Sequence, residues 1–138
     1  MKIGEWDNVG KARGLIQRQL GRLGADEYAA HVAVSPDNGR MRVFVATDIG
    51  LLEYSYSPAG ADPNGAWILR GQAHRWSAVR GLRLQTDAQL GESSDSDRAV
   101  WRMLVEDPRI ELTVSTEQGE AAIEGLVTFA RECLLHAR

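Results

Sequence analysis

Three histidines and one cysteine are the residues of this chain best able to do chemistry. His74 is the most suggestive, because Arg70, Arg75 and Trp76 surround it. A general base or an anion contact could be built there. The same residues also suit a turn with a polar imidazole and a buried indole. His31 lies among alanines in an alternating stretch, and His136 lies near the C-terminus. No His-x-x-x-His or Cys-x-x-Cys spacing occurs, so a zinc site has no local support. Cys133 falls on the apolar stripe of a C-terminal helix pattern, where a free thiol behaves as a small hydrophobe. A nucleophilic thiol needs a helix N-terminus or a base beside it. Asp95-Ser96-Asp97 has the opening of a calcium loop but lacks the later glycine and glutamate, so it reads as a solvated loop. No phosphate-binding glycine loop or nucleophile elbow is present. No catalytic, metal or cofactor site is expected.

A binding face is the remaining chemistry. Trp67 and Trp76 share the segment 66–86 with Arg70, Arg75, Arg80 and Arg83 and with no acid. Arginine beside exposed aromatic surface is common at binding sites. Arg70, His74, Arg75, Trp76 and Arg83 are therefore the candidate binding residues. Segment 87–120 holds nine acids against three arginines. Two neighbouring strands of opposite charge that pair across a sheet would explain the asymmetry equally well.

Composition bounds the rest. The chain has 138 residues and a formal net charge of −3. That length suits a single domain, 1–138, with an N-terminal helical segment at 1–26 and the remainder at 27–138. A net acidic charge argues against nucleic acid as a partner. No run of about 18 apolar residues suggests a spanning helix. The first ten residues lack the apolar core of a secretory signal. A cytoplasmic protein is expected.

The elements that position these residues follow from periodicity. Asp7 or Asn8 can cap a helix from about Val9, with Val9, Ala12, Ile16, Leu20 and Leu23 on one face and Gly24 ending it. From Tyr28 the period becomes two. Tyr28 to Val34 buries Ala30, Val32 and Val34. Asn38-Gly39 marks a hairpin turn. Met41 to Thr47 and Leu51 to Tyr56 follow, joined by a tight turn with Gly50 suited to a bulge. Ser57 to Gly65 is a loop. Ala66 to Ala73, Val79 to Thr86, Arg98 to Val105 and Arg109 to Ser115 are further strands, with a polar loop over 87–97. Thr116 or Ser115 can cap a final helix. Its stripe is Ile123, Leu126, Val127, Ala130, Cys133, Leu134 and Ala137, with Phe129 at the edge.

The order is helix, seven short antiparallel strands, helix. The stretch Val43 to Tyr56, Val-Phe-Val-Ala-Thr-Asp-Ile-Gly-Leu-Leu-Glu-Tyr-Ser-Tyr, resembles the paired strands of bacterial pleckstrin-homology-like (PH-like) domains. His74-Arg75-Trp76-Ser77-Ala78-Val79 is similar to the link that enters a later strand in that family. The resemblance covers roughly residues 27 to 137. It implies an α+β fold: a seven-stranded antiparallel split barrel with an N-terminal helix and a C-terminal amphipathic helix packed on it. Lipid-binding members carry a basic loop between the first two strands. The corresponding segment here offers only Arg40 and Arg42, so the resemblance carries no lipid site.

These readings converge on a non-enzymatic interaction module. It would take a protein segment, an anionic group or a second copy of itself through the Arg/Trp face. The alternative is a small ligand-binding barrel or enzyme with dispersed residues near His31 or His74.

Overall fold

A computed structural model of the chain describes residues 1–6, 9–34, 40–58, 67–93 and 97–137. Its described residues form an α+β structure with two antiparallel sheets and two α-helices. The chain divides into two compact units, Met1–Arg75 and Trp76–Arg138.

The first unit contains helix α1 (Lys11–Leu23) and strands β1 (Glu27–Val34), β2 (Met41–Thr47), β3 (Leu51–Pro58) and β4 (Trp67–His74). The strands form a meander in the order β1-β2-β3-β4. Val9 and the α1 residues Ala12, Ile16 and Leu20 share one core cluster with Ile3, Ala30, Val32, Val43, Val45, Leu52 and Tyr54. Helical spacing thus meets one face of a period-two sheet. α1 begins later than the sequence pattern suggests, because Gly10 at φ 61° precedes it as N-cap. Asp7, Asn8 and the Asn38-Gly39 turn lie outside the described residues. Gly24 closes α1 in the left-handed conformation, and the Ala25 N–H donates to Leu20 O at 3.0 Å.

β1 departs from simple alternation. Ala29, Ala30, His31 and Val32 are all buried, whereas Val34 is exposed. A strand covered on both faces shows no clean alternation. The N-terminal residues occupy its outer edge. The Ala30 N–H donates to Met1 O, and the Trp6 indole N–H donates to Ala30 O at 3.3 Å. The β2–β3 turn is held by the Thr47 N–H and hydroxyl, which both donate to Gly50 O. That ladder keeps its register, so Gly50 makes no bulge. Glycine is required there for another reason: a Cβ would stand 2.2 Å from the carbonyl oxygen of His74.

The second unit contains β5 (Arg83–Gln89), β6 (Arg98–Val105), β7 (Ile110–Ser115) and α2 (Glu120–His136). Its sheet order is β5-β6-β7. β5 starts later than its apolar pattern implies. Trp76–Ala78 form a 3-10 turn, and Gly81 at φ 68° bends the chain before Arg83. β5 also extends to Gln89, into the segment read as loop. The expected pairing of basic and acidic segments holds in part: the basic start of β5 pairs with β6, and Arg80 bridges Asp107. β4 pairs with β3, and the ion pair Arg102–Asp87, at 2.7 Å, lies wholly within the acidic segment.

β7 alternates cleanly, with Ile110, Leu112 and Val114 buried. α2 packs on β6 and β7. Ser115 caps a 3-10 turn, Thr116–Gln118, rather than the helix. The α2 N-cap is Gly119 at φ 94°. The buried stripe is Ile123, Leu126, Phe129, Ala130 and Cys133. Phe129 sits in its middle, while Leu134 lies 47% exposed. At 100° per residue Phe129 aligns with Leu126 and Cys133, whereas Leu134 turns past the edge.

Candidate functional site

One face of the first sheet is polar where it reaches β4. Its composition follows from register alone, since directly opposed residues on antiparallel strands share a face. Arg42 on β2 stands opposite Ser55 on β3, which stands opposite Arg70 on β4. The next row is Phe44, Glu53 and Gln72, and the next is Ala46, Leu51 and His74. Two guanidinium groups therefore flank one hydroxyl, with a carboxylate, an amide and an imidazole beside them.

Glu53 organises the group. Its Oε1 accepts from Arg42 Nη2 at 2.6 Å, and its Oε2 lies 3.4 Å from His74 Nε2. The Arg42 guanidinium also sits 5.0 Å above the Phe44 ring, a cation–π geometry. Both contacts pull Arg42 toward Glu53. The Arg70 side chain has neither a hydrogen bond nor an ion pair among the described residues. Since Arg42 balances Glu53, the Arg70 guanidinium remains as uncompensated positive charge. It lines a shallow depression of about 220 Å³ with Glu53, Ser55, Gly71 and Gln72.

β4 is the outer strand of this sheet, and Arg70, Gly71, Gln72 and Ala73 are exposed. The bond from the Thr47 N–H to Gly50 O makes that pair hydrogen-bonded. Alternation then turns the backbone groups of Leu51, Glu53 and Ser55 toward β4. On β4 itself, His74, Gln72 and Arg70 face β3, so Leu69, Gly71 and Ala73 turn their N–H and C=O groups to the open edge. Among the described residues no backbone bond covers that edge.

The structure distributes the five residues singled out by sequence. Arg70 and His74 share the polar face of β4. Arg75 is exposed at the end of the first unit. Trp76 belongs to the second unit, where it is buried and its ring lies 5.8 Å from that of His136. Arg83, also in the second unit, opens β5 and lines a depression of about 180 Å³ with Glu106, Arg109 and Glu111. Trp67 takes the opposite face of β4 from Arg70, against Tyr56 at 5.0 Å. Sequence reasoning missed Arg42, Glu53, Ser55 and Gln72. The Thr47–Gly50 turn carried the signal for the first three, since a two-residue connection fixes register.

His31 is buried, its ring edge-on to Trp6 at 5.8 Å. Burial, helped by the N-terminal charge, lowers its pKa to about 4. Cys133 is buried, and burial pushes its thiol well up, with Glu132 adding to the shift. Among the described residues no group of three His, Cys, Asp or Glu could hold a metal ion. None of their helices is long and apolar enough to cross a membrane. No protein-family model matches the chain, and no curated protein or solved structure matches it either.

Proposed function

We propose that the chain is a PH-like split barrel acting as an interaction module, and that β4 accepts an extended acidic segment of a partner protein. Seven antiparallel strands divided four and three, followed by an amphipathic helix, support the PH-like reading. The observation that carries the binding reading is the open edge of β4 beside Arg70. An added strand would bond to the outward groups of Leu69, Gly71 and Ala73, which gives affinity without sequence demand. Its side chains on the polar face would meet Arg70 and Gln72. An acidic side chain there pairs with the Arg70 guanidinium, which has no partner among the described residues, while Ser55 and Gln72 supply further donors. Unprotected edges are normally blunted by lysine, proline or a bulge, and β4 carries none of these.

The test is fluorescence anisotropy with two labelled peptides, one alternating valine and glutamate, the other valine and lysine. The acidic peptide binds the wild-type chain and loses affinity to Arg70→Glu, while the basic peptide binds neither more tightly. Binding that ignores peptide charge, or that survives Arg70→Glu, defeats the reading. Amide shifts confined to residues 69–73 on titration locate the added strand.

A further inference from the structure

The second unit has its own open edge. β5 is the outer strand of its sheet, and six of its seven residues are exposed. Ahead of it the Arg80 carbonyl accepts from both the Glu106 and the Asp107 N–H groups, at 3.0 and 3.2 Å, so Glu106 turns its N–H toward this side of β6. Alternation from Glu106 turns Leu104, Arg102, Val100 and Arg98 toward β5, so their partners Arg83, Gln85, Asp87 and Gln89 bond to β6, and Leu84, Thr86 and Ala88 turn their N–H and C=O groups outward. No described residue bonds to that edge through its backbone.

Charge decides what fits it. The Arg83 side chain has no hydrogen bond or ion pair among the described residues. Asp87 is 60% exposed in its side chain. It accepts Arg102 at 2.7 Å and Gln85 at 3.0 Å through Oδ2, which leaves Oδ1 open. The two charges stand four residues apart on one strand with Gln85 midway. We infer that β5 pairs antiparallel with β5 of a second copy about a two-fold axis at Gln85. That axis sets Arg83 opposite Asp87 of the second copy, twice, and Leu84 opposite Thr86. The outward groups of Leu84 and Thr86 then fall in hydrogen-bonded pairs, and Arg83 and Asp87 meet in the closer non-hydrogen-bonded pairs that flank them. Edge charges ordinarily prevent such pairing. Here opposite signs spaced symmetrically make it attractive.

β4 lacks this self-complementarity. A two-fold axis at Gly71 sets Arg70 opposite Gln72 and Leu69 opposite Ala73, with no opposite charge to meet Arg70. The inference concerns a different edge in a different unit and stands apart from the acidic-segment reading. The contact is isologous and closes at two copies. Its length puts it among small, reversible interfaces, with a Kd on the order of 100 µM.

Sedimentation velocity of the full chain over a concentration series tests it. The wild-type chain forms a reversible dimer. Arg83→Asp and Asp87→Arg each weaken it about tenfold or more, because each reverses both symmetric contacts. An equimolar mixture of the two variants regains a dimer, since acids then oppose arginines at both ends. Thr86→Pro removes an N–H that β6 does not use and abolishes the dimer with the fold kept by circular dichroism. A wild-type monomer at about 1 mM, a dimer indifferent to both charge reversals, a mixture that fails to recover, or assembly beyond two copies each overturns the inference.

Discussion

The Tyr54 ring lies against Gly71, its direct cross-strand neighbour: a Cβ on Gly71 would stand 2.4 Å from Cδ1 and Cε1 of the ring. Tyr54 is buried in the first unit's core and has no room to withdraw. Gly71→Ala is therefore expected to destabilise the chain by about 1–3 kcal/mol, read as a lower urea midpoint at unchanged slope. A neutral result would mean that the ring moves freely. Gly50→Ala should cost more, because its Cβ meets backbone at His74 rather than a side chain.

His31 makes stability depend on pH. The folded chain holds it neutral down to about 4, against an ordinary 6.5. As pH falls below the ordinary value the unfolded chain gains a proton that the folded chain refuses, so stability drops. The loss builds between those two values and reaches about 3 kcal/mol. Glu27 works the other way: burial raises its carboxyl against the Ile3 N–H bond, which favours the fold as pH falls through the carboxylate range. Urea titrations at neutral pH and near pH 5 measure the slope. His31→Gln should flatten it, and a slope that persists assigns it elsewhere.

Phe129 rather than Leu134 anchors α2. Phe129→Ala leaves a cavity and should cost about 3–5 kcal/mol. Leu134→Ala, on a half-exposed side chain, should cost well under half as much. Thermal unfolding of the two variants ranks them, and the reverse order would mean that α2 is rotated.

Cys133 should be inert in the folded chain. It is buried, and its thiol is pushed up by burial and by Glu132, so little thiolate forms. A colourimetric disulfide reagent is expected to label it only at the rate of unfolding. Immediate stoichiometric labelling without denaturant would place it at the surface.

The interaction of Arg70 with an acidic segment should weaken with salt. An exposed guanidinium is screened over about 10 Å at 0.1 M ionic strength, so peptide affinity should fall steadily as sodium chloride is added. An affinity independent of salt would shift the contact to backbone bonds alone.

The sequence by itself determined which segments alternate and which wind. Met41–Thr47 and Arg98–Val105 are strands at the residues where period two begins and ends, and Gly24 stops α1 where only a positive φ allows. Local sterics and one-sided burial set those features, so local pattern reveals them. Tertiary structure alone decided that His31 is buried, that Phe129 replaces Leu134 in the core, and that His74 joins Arg42 and Glu53. Each depends on strand partners distant in sequence. The β3–β4 register in particular is joined through a connection whose composition says nothing of alignment. A one-residue slip there would have carried Arg70 and His74 to the opposite face.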